Sequence, residues 1–471
     1  MPSLLSKPSS CHGCPLYGNG QGFVPDELVE GAEVMVCGQN PGKYEESGLK
    51  VTGGRAPHYI TEPTTPRPYT GPTGQVMERE YFPIAGLERG KVSVVNALRC
   101  RWQNSDELPD MKTEVARKAL EHCYHAHFKL PSSTRLIVAE GAWALYALTG
   151  EGLLKDRTID SWRGYVLPFN PVGRPTLHHN NIWTPSSDGV TVLATYHLSY
   201  LFRAPWERPA SQRDWSKVPL ILSRAWPERM PELLTQPPLV WPGTSAFDTE
   251  FEGWETGNKH LTRYSMAHED GQGPRVYVVE AADAGTVPVK AGSTVILQNE
   301  MADLDDMNKV FGGVEVKTED TMLAHSVLWP DLSHDLNFLG SLYARTNRWK
   351  HLNHSNPKVY AGGDALGTLD VWVRGLRGEL ARDPGSDRVY REYVKPLVSI
   401  ILNAKRHGVK PNQQRVAEVI KTFGSQMDDA QAMATAAVGW PINIGSPAQV
   451  TEWLYSGAKI QINPISGKVR R

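Results

Sequence analysis

Asp248 and Glu250 stand one residue apart in Ser-Ala-Phe-Asp-Thr-Glu-Phe-Glu, and the run Ser245–Phe251 reads as a strand that turns both carboxylates to the same face. Asp303 follows a buried-strand pattern, Val295–Leu297, at a polar helix start, four residues after Asn299. Tyr360 and Asp364 come last, in Val-Tyr-Ala-Gly-Gly-Asp-Ala-Leu, where the pattern predicts a helix from about Asp364 onward, with one turn between hydroxyl and carboxylate. Asp248, Glu250, Asp303 and Asp364 offer hard oxygen ligands that suit a pair of magnesium or manganese ions. Two such ions about 3.5–4 Å apart activate a water and stabilise the leaving oxygen of a phosphodiester, and a tyrosine hydroxyl can orient that water. An isolated Asp-x-Glu is ordinarily a solvated strand edge. Here three pieces follow in order, each at the end of an apolar run.

A second group is sulfur. Cys11-His-Gly-Cys14 forms a close pair near the start of the chain, and Cys100 and Cys123 follow, with Cys37 inside an apolar strand. Four thiolates suit tetrahedral zinc and an iron–sulfur cluster equally, and spacing alone does not choose between them. Interleaved with these cysteines are Gly38-Gln39-Asn40-Pro41-Gly42 after the strand Val34–Cys37, Pro68-Tyr69-Thr70-Gly71, Val94-Val95-Asn96, and Thr195-Tyr196-His197-Leu198-Ser199 after another strand.

The elements that must position these groups fall into three stretches. At 471 residues the chain has length for two to four domains, and its formal net charge of −1 gives no global basic field, so any affinity for nucleic acid is local. Residues 226–243 are proline-rich, without sustained period, and read as a linker between a domain over 1–225 and another over 244–386. In the latter, strands near Ser245–Phe251, Arg263–Ala267, Val276–Val279 and Thr294–Leu297 precede helices around Asp303–Phe311 and Leu336–Tyr343. Residues 387–471 read as a short α-helical module; from 388 onward they hold twelve Lys and Arg against five Asp and Glu, a net of +7 that suits a phosphate backbone. No apolar signal segment opens the chain and no run of eighteen apolar residues occurs, so a cytoplasmic protein without membrane contact is expected. The fold class expected is α/β and multi-domain.

The ordered Asp-x-Glu, Asn-x-x-x-Asp and Tyr-x-x-x-Asp resemble the three motifs of the 3′–5′ exonuclease domain of family A DNA polymerases. The stretches Asp320–His325 and Leu332–Leu336 are similar to segments joining its second and third motifs in phage members. That likeness implies an RNase H-like α/β domain, two metal ions, and catalytic roles for Asp248, Glu250, Asp303, Tyr360 and Asp364. Ile442–Val450 resembles the Asn-x-x-Ser-Pro-x-Gln segment of the polymerase thumb, after which the chain stops short of palm and fingers motifs.

Residues 5–215 resemble the family-four uracil-DNA glycosylases, which carry a [4Fe–4S] cluster. On that likeness Cys11, Cys14, Cys100 and Cys123 would be cluster ligands, Tyr69 would stack on a flipped base, Asn96 would read its polar edge, and His197 would lie near its developing negative charge. Arg203 would sit on the loop that enters the duplex, and Gln39 and Asn40 on the loop at the water side. This chain departs from the family with Gln39-Asn40 in place of Glu-Ala or Glu-Gly, with Leu198 in place of proline, and with a longer stretch from Lys43 to Arg67. Asn40 is similar to the water-orienting asparagine of mismatch-specific uracil and thymine glycosylases. The expectation is a phage-type DNA replication and repair protein, combining a proofreading-type exonuclease with base excision. Two alternatives stay open: a proofreading subunit of a split polymerase with a non-catalytic DNA-binding platform, or a glycosylase for a modified pyrimidine.

Overall fold

The computed structural model describes residues 6–18, 20–102, 113–152, 158–172, 189–224, 233–234, 241, 243–252, 260–270, 273–283, 286–456, 461–462 and 469–470. It is a mixed α/β, multi-domain architecture built on two separate sheets.

The first sheet contains β1 (Val34–Gly38), β4 (Val92–Asn96), β5 (Leu136–Glu140), β6 (Val166–Pro168) and β7 (Thr191–Thr195), in the order β4-β1-β5-β7-β6. All but β6 run parallel. Every residue of β1, β4 and β5 is buried, which is why these strands read as continuous apolar runs rather than alternating ones. Between β1 and β4 the longer stretch from Lys43 to Arg67 folds a hairpin, β2 (Leu49–Arg55) with β3 (His58–Pro63). Helices α1 (Glu114–His127) and α2 (Arg208–Ser216) belong to this half.

The second sheet is mixed, in the order β8-β11-β10-β9-β12-β13, with β8 (Leu233–Leu234), β9 (Thr244–Glu252), β10 (His260–Asp270), β11 (Gly273–Glu280), β12 (Thr294–Leu297) and β13 (Lys317–Asp320). Leu233 and Leu234, within the stretch read as a linker, pair in parallel with Val276 and Tyr277; residues 226–232, 235–240 and 242 of that stretch lie outside the described ones. A core of Trp241, Phe247, Met266, Val295, Leu297 and Phe311 packs on this sheet.

Helix α3 spans Glu300–Val310, so Asp303 lies in its first turn rather than at its start. Asp320 organises this junction: its carboxylate accepts from the N–H of Glu300 at 2.7 Å and of Leu323 at 3.0 Å, capping α3 and the helix Thr321–Leu328 together. Helix α4 (Leu336–Tyr343) starts on Asp335, whose side chain accepts from the Phe338 N–H at 3.0 Å. Helix α5 runs Pro357–Asp370, two turns earlier than the sequence pattern predicts, because Asn356 caps it and Pro357 supplies a preset first residue.

Chain contacts divide the molecule into Met1–Ser399 and Ile400–Arg471. Residues just past Arg388 therefore belong to the larger unit, where the Tyr390 hydroxyl donates to Glu319 at 2.9 Å and the Lys395 ammonium reaches Glu300 at 2.6 Å. In the smaller unit, α6 (Gln413–Val438) ends before the stretch Ile442–Val450, and α7 (Pro447–Ser456) begins inside it. There the Asn443 N–H donates to the Gln449 side chain at 2.9 Å. Among the described residues no helix is long and apolar enough to cross a membrane.

Candidate functional site

The two-residue spacing on β9 sets Asp248 and Glu250 on one face, and α5, lying against β9 and β10, brings Asp364 to them. Ligand atoms of Asp248, Glu250 and Asp364 all lie within 4.8 Å of one another, the one such set of three or more among the described residues. Asp303 is not part of that set: it accepts a hydrogen bond from the hydroxyl of Thr249, the residue between the pair on β9. Four acids were expected to converge, and the structure converges three with the fourth alongside. Burial, then Asp364, Asp303 and Glu250, push Asp248 well above the usual carboxylate range, and burial with Asp364 pushes Glu250 up to about 7. Asp248 Oδ2 is buried without a hydrogen-bond partner. An orphaned carboxylate oxygen in a crowd of acids is what a divalent cation relieves, so these residues fit a metal.

Two neighbours that carried no sequence signal complete the group. The Trp349 indole N–H donates to Asp364 Oδ1 at 2.6 Å, and the Lys350 ammonium contacts the same oxygen at 2.6 Å. Lys350 also donates to the Tyr360 hydroxyl at 3.2 Å, one helical turn before Asp364. Burial works against the Lys350 charge, but Asp364, Tyr360 and Asp248 outweigh it and hold the ammonium above its ordinary range.

The second set lies at the C-terminal ends of β1, β4, β5 and β7, where parallel sheets of this kind gather ligands. Tyr69 is buried and takes a left-handed φ of 57°, and its hydroxyl donates to Glu140 at 2.7 Å. A Cβ on Gly38 would fall 2.4 Å from the Tyr69 hydroxyl and 2.6 Å from Asn96 Oδ1, so glycine is required there. Asn96 Nδ2 is buried and unpartnered. The ring of His197 lies 6.0 Å from that of Tyr69, and Gln39 and His197 both border Gly141. His197 Nδ1 accepts from the Ser199 N–H at 3.2 Å, and burial, then Arg203, press the imidazole down to about 4, which keeps it neutral near pH 7. Asn40 Nδ2 donates to the Pro41 carbonyl at 3.2 Å, while Arg203 stands on an exposed turn beside Phe202. Sequence reading missed Glu140, which is wholly buried, pushed by burial up to about 8, and left with Oε1 unpartnered. A glutamate closing the apolar run Leu-Ile-Val-Ala was the available signal.

Cys11, Cys14, Cys100 and Cys123 line one small pocket, with Cys11 Sγ 3.2 Å from His127 Nε2. Cys37 stands apart on β1, its thiol pushed up to about 12 by burial.

Residues 25–218 match the uracil DNA glycosylase superfamily. This segment is a uracil DNA glycosylase superfamily domain. The chain is 29% identical over 209 residues to a type-4 uracil-DNA glycosylase of Sulfurisphaera tokodaii, covering 44% of this chain and 79% of that protein. A type-4 uracil-DNA glycosylase of Archaeoglobus fulgidus is 23% identical, over 46% of this chain and 91% of its own. The glycosylase-superfamily domain thus contains Gln39, Asn40, Tyr69, Asn96, His197 and Arg203. Cys11 and Cys14 precede the matched segment, whereas Cys100 and Cys123 fall inside it. Solved structures with some likeness include Brucella melitensis NrnC with bound Mg2+ (TM-score 0.27, 18% identity, 36% of this chain and 89% of that chain). Another is the POL domain of Pol1 from M. smegmatis in complex with DNA primer-template and dNTP (TM-score 0.30, 17% identity, 48% and 39%). Superpositions at that level establish neither fold nor activity for this chain.

Proposed function

We propose that this chain is a DNA-processing hydrolase with two chemistries: metal-dependent 3′–5′ exonuclease action at Asp248, Glu250 and Asp364, and N-glycosidic cleavage at the pocket around Asn96 and His197. The observation that carries the nuclease reading is the convergence of three carboxylates within 4.8 Å, with Tyr360 one turn from Asp364. When bound, magnesium or manganese would supply Lewis-acid activation of water and stabilisation of the leaving oxygen. Asp248, Glu250 and Asp364 would hold it, with Asp303 beside them. Tyr360, on the same helix as Asp364, would orient the attacking water, and the Trp349 indole, donating to Asp364, would keep that carboxylate turned to the site.

For base excision, the unpartnered Asn96 amide offers a donor to a flipped base, and neutral His197, its Nδ1 already accepting, keeps Nε2 as the donor for charge developing on that base. Asn40 orients water without needing to ionise. A [4Fe–4S] cluster on Cys11, Cys14, Cys100 and Cys123 would tie the N-terminal loop to the domain. The four thiols line one small pocket, and it is the likeness to the type-4 enzymes that favours the cluster over zinc. A second reading, a modified pyrimidine as the target, is favoured by the Tyr69–Glu140 bond, which puts a polar pair beside the pocket.

A 5′-labelled single strand with one uracil, incubated with magnesium and with EDTA, tests both sites. A magnesium-dependent ladder lost in Asp248→Ala supports the nuclease, and an alkali-revealed cut at uracil in EDTA lost in His197→Ala supports the glycosylase. Without a ladder the nuclease reading fails. Without the cut, repeating the assay with modified pyrimidines separates a changed target from a DNA-binding platform.

A further inference from the structure

We propose that the Lys350 ammonium is a built-in cation at one of the two positions the carboxylates create, so that the DNA-free protein takes up one divalent ion rather than two. This rests on the nuclease reading above. Lys350 Nζ lies 2.6 Å from Asp364 Oδ1 and 3.2 Å from the Tyr360 hydroxyl, with the Tyr360 ring centroid at 4.8 Å. The Trp349 indole occupies the same Asp364 oxygen, so both of its near donors come from the protein. Asp364 Oδ1 is therefore committed. Asp248 Oδ2, buried and without a hydrogen-bond partner, is not. The two ends of the carboxylate set thus differ: one has a fixed ammonium in direct contact, and the other keeps a buried carboxylate oxygen without a hydrogen-bond partner.

Four acids, Asp248, Glu250, Asp303 and Asp364, face a single ammonium. One divalent ion leaves one negative charge over and a second would leave one positive, so it is the position of Lys350 that decides between them. A second would have to sit in contact with Lys350 and be repelled by it. In the DNA-free state the lysine is a counter-ion that needs no cation from solution, and its three N–H donors are of the kind that bind phosphate oxygens. It acts on the ions through Asp364 and Tyr360 and is a positioning residue.

The test counts Mn2+ bound per full-length chain without DNA, by electron paramagnetic resonance of free Mn2+ during titration. It compares wild type with Lys350→Met and Lys350→Arg and follows melting temperature in parallel. One ion in wild type and in Lys350→Arg, and two in Lys350→Met, supports the proposal. Should Lys350→Met fail to fold, saturation of the Mn2+-induced rise in melting temperature at one equivalent in wild type and Lys350→Arg supports it instead. Two ions in wild type, or one in a folded Lys350→Met, overturns it while leaving the nuclease reading intact. No ion in any of the three overturns both.

Discussion

Glu140 closes the central strand β5 with no exposed surface, and its carboxylate accepts from the Tyr69 hydroxyl and, at 3.5 Å, from the Leu198 N–H. Burial pushes it up to about 8, so the native protein keeps a proton that the unfolded chain releases in the ordinary carboxylate range near 4.5. Where the native state binds more protons, stability falls as pH rises. The Glu140 contribution is therefore fully present below about pH 4.5 and is lost on the way to about 8. Glu140→Gln keeps the shape and removes the titration. Its melting temperature relative to wild type should rise between pH 5 and pH 8, by about 2–4 °C for each kcal/mol that wild type loses. A difference that stays constant over that range would show that Glu140 does not hold its proton. His197 has the opposite sign: depressed to about 4, it stays neutral while the unfolded histidine charges, so its contribution is lost as pH falls from about 6.5.

At the scale of elements, α5 is unusual in its glycines. A Cβ on Gly363 or on Gly367 would each come within 2.4 Å of the Trp349 ring, so the two residues, one turn apart, form the notch in which the indole sits. Glycine costs a helix about 0.5–1 kcal/mol at each position, and here that cost is offset by seating the side chain that holds Asp364. Gly367→Ala should lower stability by about 1–3 kcal/mol in urea unfolding through overpacking. By disturbing Trp349 it should also weaken Mn2+ binding by about 10–100-fold. Unchanged affinity in a destabilised variant would separate the indole from the metal site. The same glycines explain what could be read in advance. Tyr-Ala-Gly-Gly reads as loop because glycine disfavours helices, and the helix was expected only from Asp364, whereas packing against Trp349 and the Asn356 cap carry it back to Pro357. Leu336–Tyr343 agrees with its sequence pattern because its cap and apolar face are both local. The apolar runs Val34–Cys37 and Val295–Leu297 and the Asp-x-Glu spacing were legible for the same reason. The positions of Trp349 and Lys350, and the turn of Asp303 toward Thr249, depend on residues far away in sequence and left no local pattern, whereas Glu140 was marked only by closing an apolar run.

At the scale of the molecule, the glycosylase-superfamily domain meets the half built on the second sheet through charges sealed from water. Arg163 and Asp214 are both wholly buried and paired, Nε to Oδ2 at 3.0 Å, and Arg163 reaches across to the Ser341 hydroxyl at 2.9 Å. Lys217 donates to the Gly164 carbonyl at 2.5 Å on one side and to the Ser341 carbonyl on the other. Around this network the Tyr165 hydroxyl donates to the Asn337 carbonyl at 2.9 Å, and Arg348 covers the Trp162 ring at 4.7 Å. Beside it a cleft of about 660 Å³ is lined by Tyr196 and Tyr200 from one half and by Lys350 and Tyr360 from the other. Asp214→Ala would leave the guanidinium buried without its partner, and denaturant unfolding should register a loss of about 3–5 kcal/mol. A loss below about 1 kcal/mol would mean that water reaches the pair. What joins the halves is thus chiefly side chains, not the peptide that runs between them. A protease that nicked the chain once between residues 224 and 233 would cut a connection that the Arg163, Asp214 and Lys217 network duplicates, and the two pieces would stay together as one particle.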